Sequence, residues 1–266
     1  MSFSIEGKTA LVPGGENGVG CAIGSHFADQ GANVMFVDMD EDGLVNELGA
    51  AKDEGNVRYF AGDLREKLTM ANLLSATIDH FDQVDILVNA CRQVMVTDPL
   101  GVDDDTTETM LQQNLLNSLR LSQLVARRMI KQAAGNVESQ IGSIINLSSI
   151  AARRAHPDLM AYSIATAASD QMTRSLAVAL APHKIRVNAV AFGSVMSASL
   201  QETLKENADF RGDIEDHTPL QRIASPNELA AAVQYLASDW SGFMTGQIMT
   251  LDGGRTLIDP VAAPAH

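Results

Sequence analysis

Val12-Pro13-Gly14-Gly15-Glu16-Asn17-Gly18-Val19-Gly20 is the stretch that decides the fold of this chain. Before it runs Thr9 to Val12, short, apolar and β-rich; after it, Val19 to Gln30 carries a helical pattern. The glycines at 14, 18 and 20 have separate physical uses at such a junction. Gly14 permits a tight turn, Gly18 lets the main chain come close to a pyrophosphate, and Gly20 lets the helix pack closely. The helix N-terminus adds unpaired N–H groups and positive potential, which suit a bound anion. Alone, such glycines serve a turn as readily as a ligand; a strand before and a helix after favour a dinucleotide loop.

Working outward, apolar β-rich runs recur at Thr9 to Val12, Asn33 to Val37, Val57 to Ala61, Ile86 to Val88, Ser143 to Leu147, Arg186 to Ala191 and Gln247 to Leu251. Helical patterns occupy Val19 to Gln30, Glu41 to Asp53, Lys67 to His80, Thr106 to Ala134, Met160 to Ala181 and Asn227 to Ala237. Strands apolar on both faces, with room for a helix in each gap, predict a parallel sheet covered on both sides. The expected architecture is α/β: a doubly wound, Rossmann-like, seven-stranded parallel sheet in one domain, residues 1–258. Within Met160 to Ala181, the four-residue spacing of Ile164, Ala168, Met172, Leu176 and Leu180 predicts a buried face. The polar, poorly periodic stretch 193–220 is read as a mobile substrate lid, with a plain surface connection as the alternative. Residues 259–266 form a tail.

The balance of 19 Lys plus Arg against 33 Asp plus Glu gives a net charge of -14, which opposes contact with nucleic acid or an anionic membrane. The two cysteines, Cys21 and Cys91, make no disulfide framework, no run is long and apolar enough to span a bilayer, and the first residues lack a signal peptide's apolar stretch. A cytoplasmic protein is expected. The six histidines show no metal-ligand spacing, so no metal is expected.

Asp38 ends the second strand, about twenty residues beyond the glycine loop, where a carboxylate accepts from both hydroxyls of an adenosine ribose. That favours NAD. Its charge and that of Glu16 oppose the 2′-phosphate of NADP; the alternative for Asp38 is a strand-end residue or helix cap. Asp63, in Gly62-Asp63-Leu64, either bonds the adenine amino group or shapes a turn.

Together with the glycine pattern, Asn89-Ala90, Asn114, Ser149, Tyr162, Arg186-Val187-Asn188-Ala189-Val190 and Leu251-Asp252-Gly253-Gly254 resemble the short-chain dehydrogenase/reductase family over nearly the whole chain. Its 3-oxoacyl-carrier-protein reductase-like and hydroxysteroid dehydrogenase-like branches are nearest. The resemblance implies an oxidoreductase for a secondary alcohol or ketone, in which Tyr162 exchanges a proton with the substrate oxygen. It implies that Ser149 bonds that oxygen, and that Asn114 bends its helix and holds a water in the proton relay. It adds Val19, Leu64, Asn89, Ala90, Cys91, Gly193 and Val195 to the cofactor contacts, and a dimer or tetramer built through the helices at 106–134 and 160–181.

Against that pattern the chain departs at several places. Thr166 stands where the family has a lysine that bonds the nicotinamide ribose and holds a positive charge beside the tyrosine. A free phenol titrates near about 10, so the loss of that charge matters; the threonine hydroxyl replaces at most the ribose bond. Pro13, Cys91 and Phe192 replace a threonine, a glycine and a proline around the same cleft. Arg92 is the preferred substitute cation, with a solvated loop arginine as the alternative; Arg153 and Arg154 border the cleft or lie on the surface. His156 and Cys21 are read as a surface residue and a packing residue. Met95, Met160, Met196 and Leu200 line an apolar substrate pocket or fill the core. Two functions remain open at this level: an NAD-dependent oxidoreductase, or a silent dinucleotide-binding or scaffold member of the same fold.

Overall fold

The computed structural model describes residues 3–16, 18–49, 55–134 and 139–259. Seven strands, β1 (Thr9–Pro13), β2 (Asn33–Asp38), β3 (Val57–Ala61), β4 (Ile86–Asn89), β5 (Gly142–Ser149), β6 (Ile185–Phe192) and β7 (Ile248–Leu251), form one sheet in the order β3-β2-β1-β4-β5-β6-β7. Every pairing is parallel. The order reverses between β1 and β4, which opens a crevice beyond their C-terminal ends.

Side-chain alternation divides the core in two. Ala10 and Val12 of β1 and Ile145 and Leu147 of β5 face a layer containing α1 (Gly18–Asp29), α2 (Glu41–Leu48) and α9 (Pro226–Ala237), through Ile23, Phe27, Leu44, Leu229 and Val233. Leu11 and Ile144 face the other layer, where α3 (Lys67–Phe81), α5 (Asn117–Gln132) and α6 (Met160–Leu180) contribute Leu73, Val125, Met129 and Ala177. The doubly wound expectation holds, and strand limits differ by a residue or two. The end of the helix expected over Glu41 to Asp53 falls partly outside the described residues.

The helix expected over Thr106 to Ala134 is interrupted. It comprises α4 (Thr106–Leu111), a π-helical turn (Gln112–Leu116) centred on Asn114, and α5. The buried face of α6 also differs from expectation. It is Ala161, Tyr162, Ala165, Thr166, Ser169, Asp170, Met172, Thr173 and Ala177, while Ile164 is 44% exposed. A four-residue step advances about 40° beyond a full turn, so a stripe at that spacing winds around the helix. Ile164 starts on the solvent side, and Met172 reaches the core.

The 193–220 stretch is more ordered than its periodicity suggests. It holds α7 (Ala198–Glu206), capped by Ser197 Oγ accepting from Leu200 N–H, and α8 (Asp209–Asp216), neither of which buries a residue. Helices with no buried face show little apolar patterning in sequence.

Candidate active site

Steric necessity fixes the glycine loop. A Cβ on Gly14 would lie 2.8 Å from the Cys91 main chain, and one on Gly20 would lie 1.9 Å from the Gly14 carbonyl oxygen. Gly18 shares a positive φ (+64) with Gly14 (+81) but faces open space, where a Cβ would meet no atom within 4 Å. So Gly14 and Gly20 close the turn, and Gly18 leaves bare main chain where an anion approaches. Pro13 removes one N–H, but Gly14 and Gly15 N–H both donate to Val37 O, at 2.9 and 3.0 Å, tying the loop to β2. Val19 is half-buried in the first turn of α1.

Asp38 closes β2, and its carboxylate accepts from Glu16 N–H (3.3 Å) and Met39 N–H (2.8 Å). These bonds aim the group at the loop. The helix-cap alternative falls to its neighbour, since Asp40 is the residue whose side chain caps α2. The Glu16 side chain lies against Gly43 in that helix, so two carboxylates flank the end of β2.

Asp63 is engaged by Arg65, whose Nε and Nη2 donate to both carboxylate oxygens at 2.5 to 2.9 Å. This pairing holds the Asp63 carboxyl below its usual range. Asp63 also accepts from Arg65 N–H, which is the turn role. Leu64 packs against the core layer of α3 and α5.

Cys91 sits at the floor of the crevice, open to solvent on one side. Surrounding protein mass, then the charges of Asp38 and Asp63, push its thiol up to about 11. Cys21 is likewise raised to about 11 by burial, and it lies near Ser25 and Glu47, in keeping with a packing residue.

The side chain of Asn89 turns into the protein interior. Its amide donates to Asn146 Oδ1 (2.7 Å) and Ser122 Oγ (3.0 Å), and the Asn146 amide donates to Thr173 Oγ1 (2.8 Å). Asn89 and Asn146 are register partners on β4 and β5. Sequence reasoning missed this role because the network's other members lie on three separate elements, β5, α5 and α6. The next residue, Ala90, is 4% exposed and packs in the α1 layer.

At the other end of the crevice, β5 and β6 stop together. Ser149 and Phe192 are register partners and the last residues of their strands. Ser149 Oγ accepts from Ala151 N–H at 3.1 Å, which leaves its proton free to donate. The adjacent Ser148 points into the core and donates to Asp170 at 2.6 Å. Tyr162 lies in the first turn of α6, 3% exposed, and its hydroxyl is buried without a hydrogen-bond partner among the described residues. Thr166 is also 3% exposed, and its hydroxyl lies 2.9 Å from the Tyr162 carbonyl and 3.1 Å from that of Ser163. Its proton is therefore directed at its own helix, which leaves the oxygen's lone pairs as the part of Thr166 open to a ribose hydroxyl.

Asn114 grips the loop after β4. Its Oδ1 accepts from Gln93 N–H and its Nδ2 donates to Gln93 O, both at 2.8 Å. The π-turn that carries it supplies the helix distortion implied by the resemblance. Arg92, next to Gln93, is drawn over two rings: its guanidinium carbon is 4.5 Å from the Phe192 centroid and 5.6 Å from that of Tyr162.

Gly193 N–H donates to Leu251 O at 3.0 Å, and Val195, 4% exposed, bridges to Ala224. A cavity of about 500 Å³ lies beyond them, lined by Ser194, Thr218, Leu220, Thr250, Asp252 and Gly253 among others. Its lining includes neither glycine-loop residues nor Tyr162. Arg153 and Arg154 reach that side: Arg153 donates to Thr250 Oγ1 at 2.7 Å and Arg154 bonds the Thr256 carbonyl. These bonds tie the segment after β5 to β7 and to the turn that follows it, and both arginines are exposed. His156 accepts from Asp158 N–H and caps a surface turn. Of the apolar wall, Met95 packs against Met110, Ala161 and Ala165, Met196 and Leu200 are half-buried, and Met160 is 37% exposed.

A glycine cradle at a sheet's switch point, a carboxylate at the end of β2 and a buried Tyr–Ser pair define a Rossmann-type oxidoreductase. A family model described as enoyl-(acyl carrier protein) reductase matches residues 14–256. An uncharacterized oxidoreductase of Mycobacterium tuberculosis is 32% identical over 257 residues, covering 96% of this chain and 94% of that one. The 3-oxoacyl-[acyl-carrier-protein] reductase of Thermotoga maritima is 30% identical over 257 residues, covering 95% and 99%. A crystal structure of gluconate 5-dehydrogenase from Burkholderia cenocepacia, in complex with NADP and tartrate, superposes with a TM-score of 0.86 at 26% identity, covering 97% and 98%. The chain belongs to the short-chain dehydrogenase/reductase family.

Proposed function

We propose that this protein is an NAD(H)-dependent oxidoreductase that interconverts a secondary alcohol and a ketone. The observation that carries the reading is the buried Tyr162 hydroxyl, unpartnered among the described residues, on the helix that follows Ser149. A native fold leaves such a group without a bond at a cost of about 1–3 kcal/mol, and a substrate oxygen would satisfy it. The glycine cradle and Asp38 fit a dinucleotide, which when bound supplies or takes the hydride. Tyr162 Oη then gives or takes the proton on the substrate oxygen, and Ser149 Oγ, with its own proton free, holds that oxygen in place. Asn114 keeps the Gln93 segment fixed beside them.

The dinucleotide is not decided by the fold, since the gluconate dehydrogenase neighbour holds NADP. Asp38 and Glu16 support NAD here, because two carboxylates at the end of β2 repel a 2′-phosphate. Calorimetric titration is expected to give NADH at least about tenfold tighter binding than NADPH, and Asp38→Asn is expected to narrow that gap. Equal affinities in the native protein would overturn the NAD assignment, and a ketone panel that yields no NADH oxidation would overturn the enzymatic one.

Assembly belongs to the same proposal. Val178 on α6 is 78% exposed and Ile164 44%, apolar side chains that a second copy would cover. A tetramer is expected in light scattering, four times the 28.4 kDa chain mass; a monomer at micromolar concentration would remove it. Cys21 and Cys91 are unpaired, which fits a reducing cytoplasm.

A further inference from the structure

The departures around the crevice are one connected arrangement. Thr166, where a cation is missing, has its hydroxyl directed at its own helix. Phe192, in place of a turn-forming proline, brings an aromatic ring to the end of β6 beside Ser149. Arg92 lies 4.5 Å from that ring and 5.6 Å from the Tyr162 ring, while Asn114 clamps the adjacent Gln93 main chain from both sides. Among the described residues Arg92 takes part in no ion pair, so no carboxylate neutralises it.

We propose that Arg92 is a positioning residue for Tyr162: held by the Phe192 ring, its charge stands over the tyrosine ring and stabilises the phenolate, in place of a cation at 166. This rests on the oxidoreductase reading of Tyr162. Guanidinium suits the position because it stacks on aromatic faces and keeps its proton at every pH of interest. A phenolate spreads part of its charge into the ring, so a cation over the face acts on the ionised form more than on the neutral one. Arg92 would act as a fixed charge and transfer no proton.

The titratable groups on the neighbouring segments are engaged elsewhere or uncharged. Cys91 carries a thiol pushed up to about 11, Asp170 is two turns along α6 and bonded to Ser148, and Arg153 is bonded to Thr250. His156 and Asp158 lie 3.9 Å from each other on the surface.

The chain has three tyrosines, Tyr59, Tyr162 and Tyr235, so tyrosinate formation is readable by near-ultraviolet absorbance in the protein without cofactor or substrate. The native signal minus that of Tyr162→Phe isolates Tyr162. In Arg92→Met this signal is expected to move upward by about one pH unit, a tenfold loss of tyrosinate at fixed pH. Arg92→Lys is expected to retain most of the native position. Adding Thr166→Lys to Arg92→Met is expected to restore it, because the charge returns by another route. Where turnover is measured, kcat/KM of Arg92→Met is expected to fall about tenfold with the pH profile moved the same way and NADH affinity unchanged. Coincident titrations of native protein and Arg92→Met would overturn the proposal. Absent turnover with a shifted titration would instead remove the enzymatic reading and leave the Arg92 contact standing.

Discussion

Tyr162→Phe is expected to lower turnover by about two to four powers of ten, the usual contribution of a positioned proton donor or acceptor. Stability should not follow activity down. The deleted hydroxyl is buried and without a partner among the described residues, so its removal relieves an unmet desolvation cost of about 1–3 kcal/mol and leaves the ring's packing intact. Urea denaturation should show the variant as stable as the native protein or slightly more so, with NADH affinity preserved. A variant that retains native turnover would mean that another group moves the proton. A variant that unfolds would mean that the hydroxyl has a structural bond in solution. The predicted opposition between activity and stability is the signature of a site held ready at some cost to the fold.

The second large effect separates two glycines that look equivalent in sequence. Gly20→Ala would place a methyl group 1.9 Å from the Gly14 carbonyl oxygen, a contact that only main-chain movement relieves, at about 3 kcal/mol or more. That is a large share of the roughly 5–15 kcal/mol that holds a domain folded. Gly18→Ala meets no atom within 4 Å, but must hold φ +64, which costs about 1–2 kcal/mol. Thermal unfolding should therefore fall steeply for Gly20→Ala and mildly for Gly18→Ala. Dinucleotide affinity should show a different pattern, since Gly18→Ala puts a methyl group into the open face of the cradle. It is expected to lose most of its NADH binding while folded. Equal melting temperatures for the two variants would contradict the separate roles.

Much of this architecture was legible because its signals are local. The strand, glycine loop and helix at Thr9 to Gln30 are contiguous, and the parallel sheet follows from apolar runs spaced by helices. Asn114 lies in a π-helical turn, Ser149 at the end of β5 and Tyr162 in the first turn of α6. What sequence did not carry was the state of individual hydrogen bonds. Thr166 looks available in sequence, yet its hydroxyl is bonded within its own helix, a habit of threonine in helix interiors. Asp63 looks free, yet Arg65 two residues on engages both its oxygens. The α6 stripe held at Met172, Leu176 and Leu180 but not at Ile164, because a four-residue interval outruns the helical period. Arg92 on Phe192 was out of reach because their separation in sequence says nothing of the register that stops β5 and β6 together.

The Asn89–Asn146–Thr173 chain has a consequence for how the protein reaches this state. Apolar contacts tolerate sliding, since one Val or Ile packs nearly as well as the next. Amides do not: a slip of one residue between β4 and β5 would strand Asn89 and Asn146 on opposite faces of the sheet, each facing hydrocarbon. The three side chains thus favour the native register of β4 and β5 over its one-residue slips.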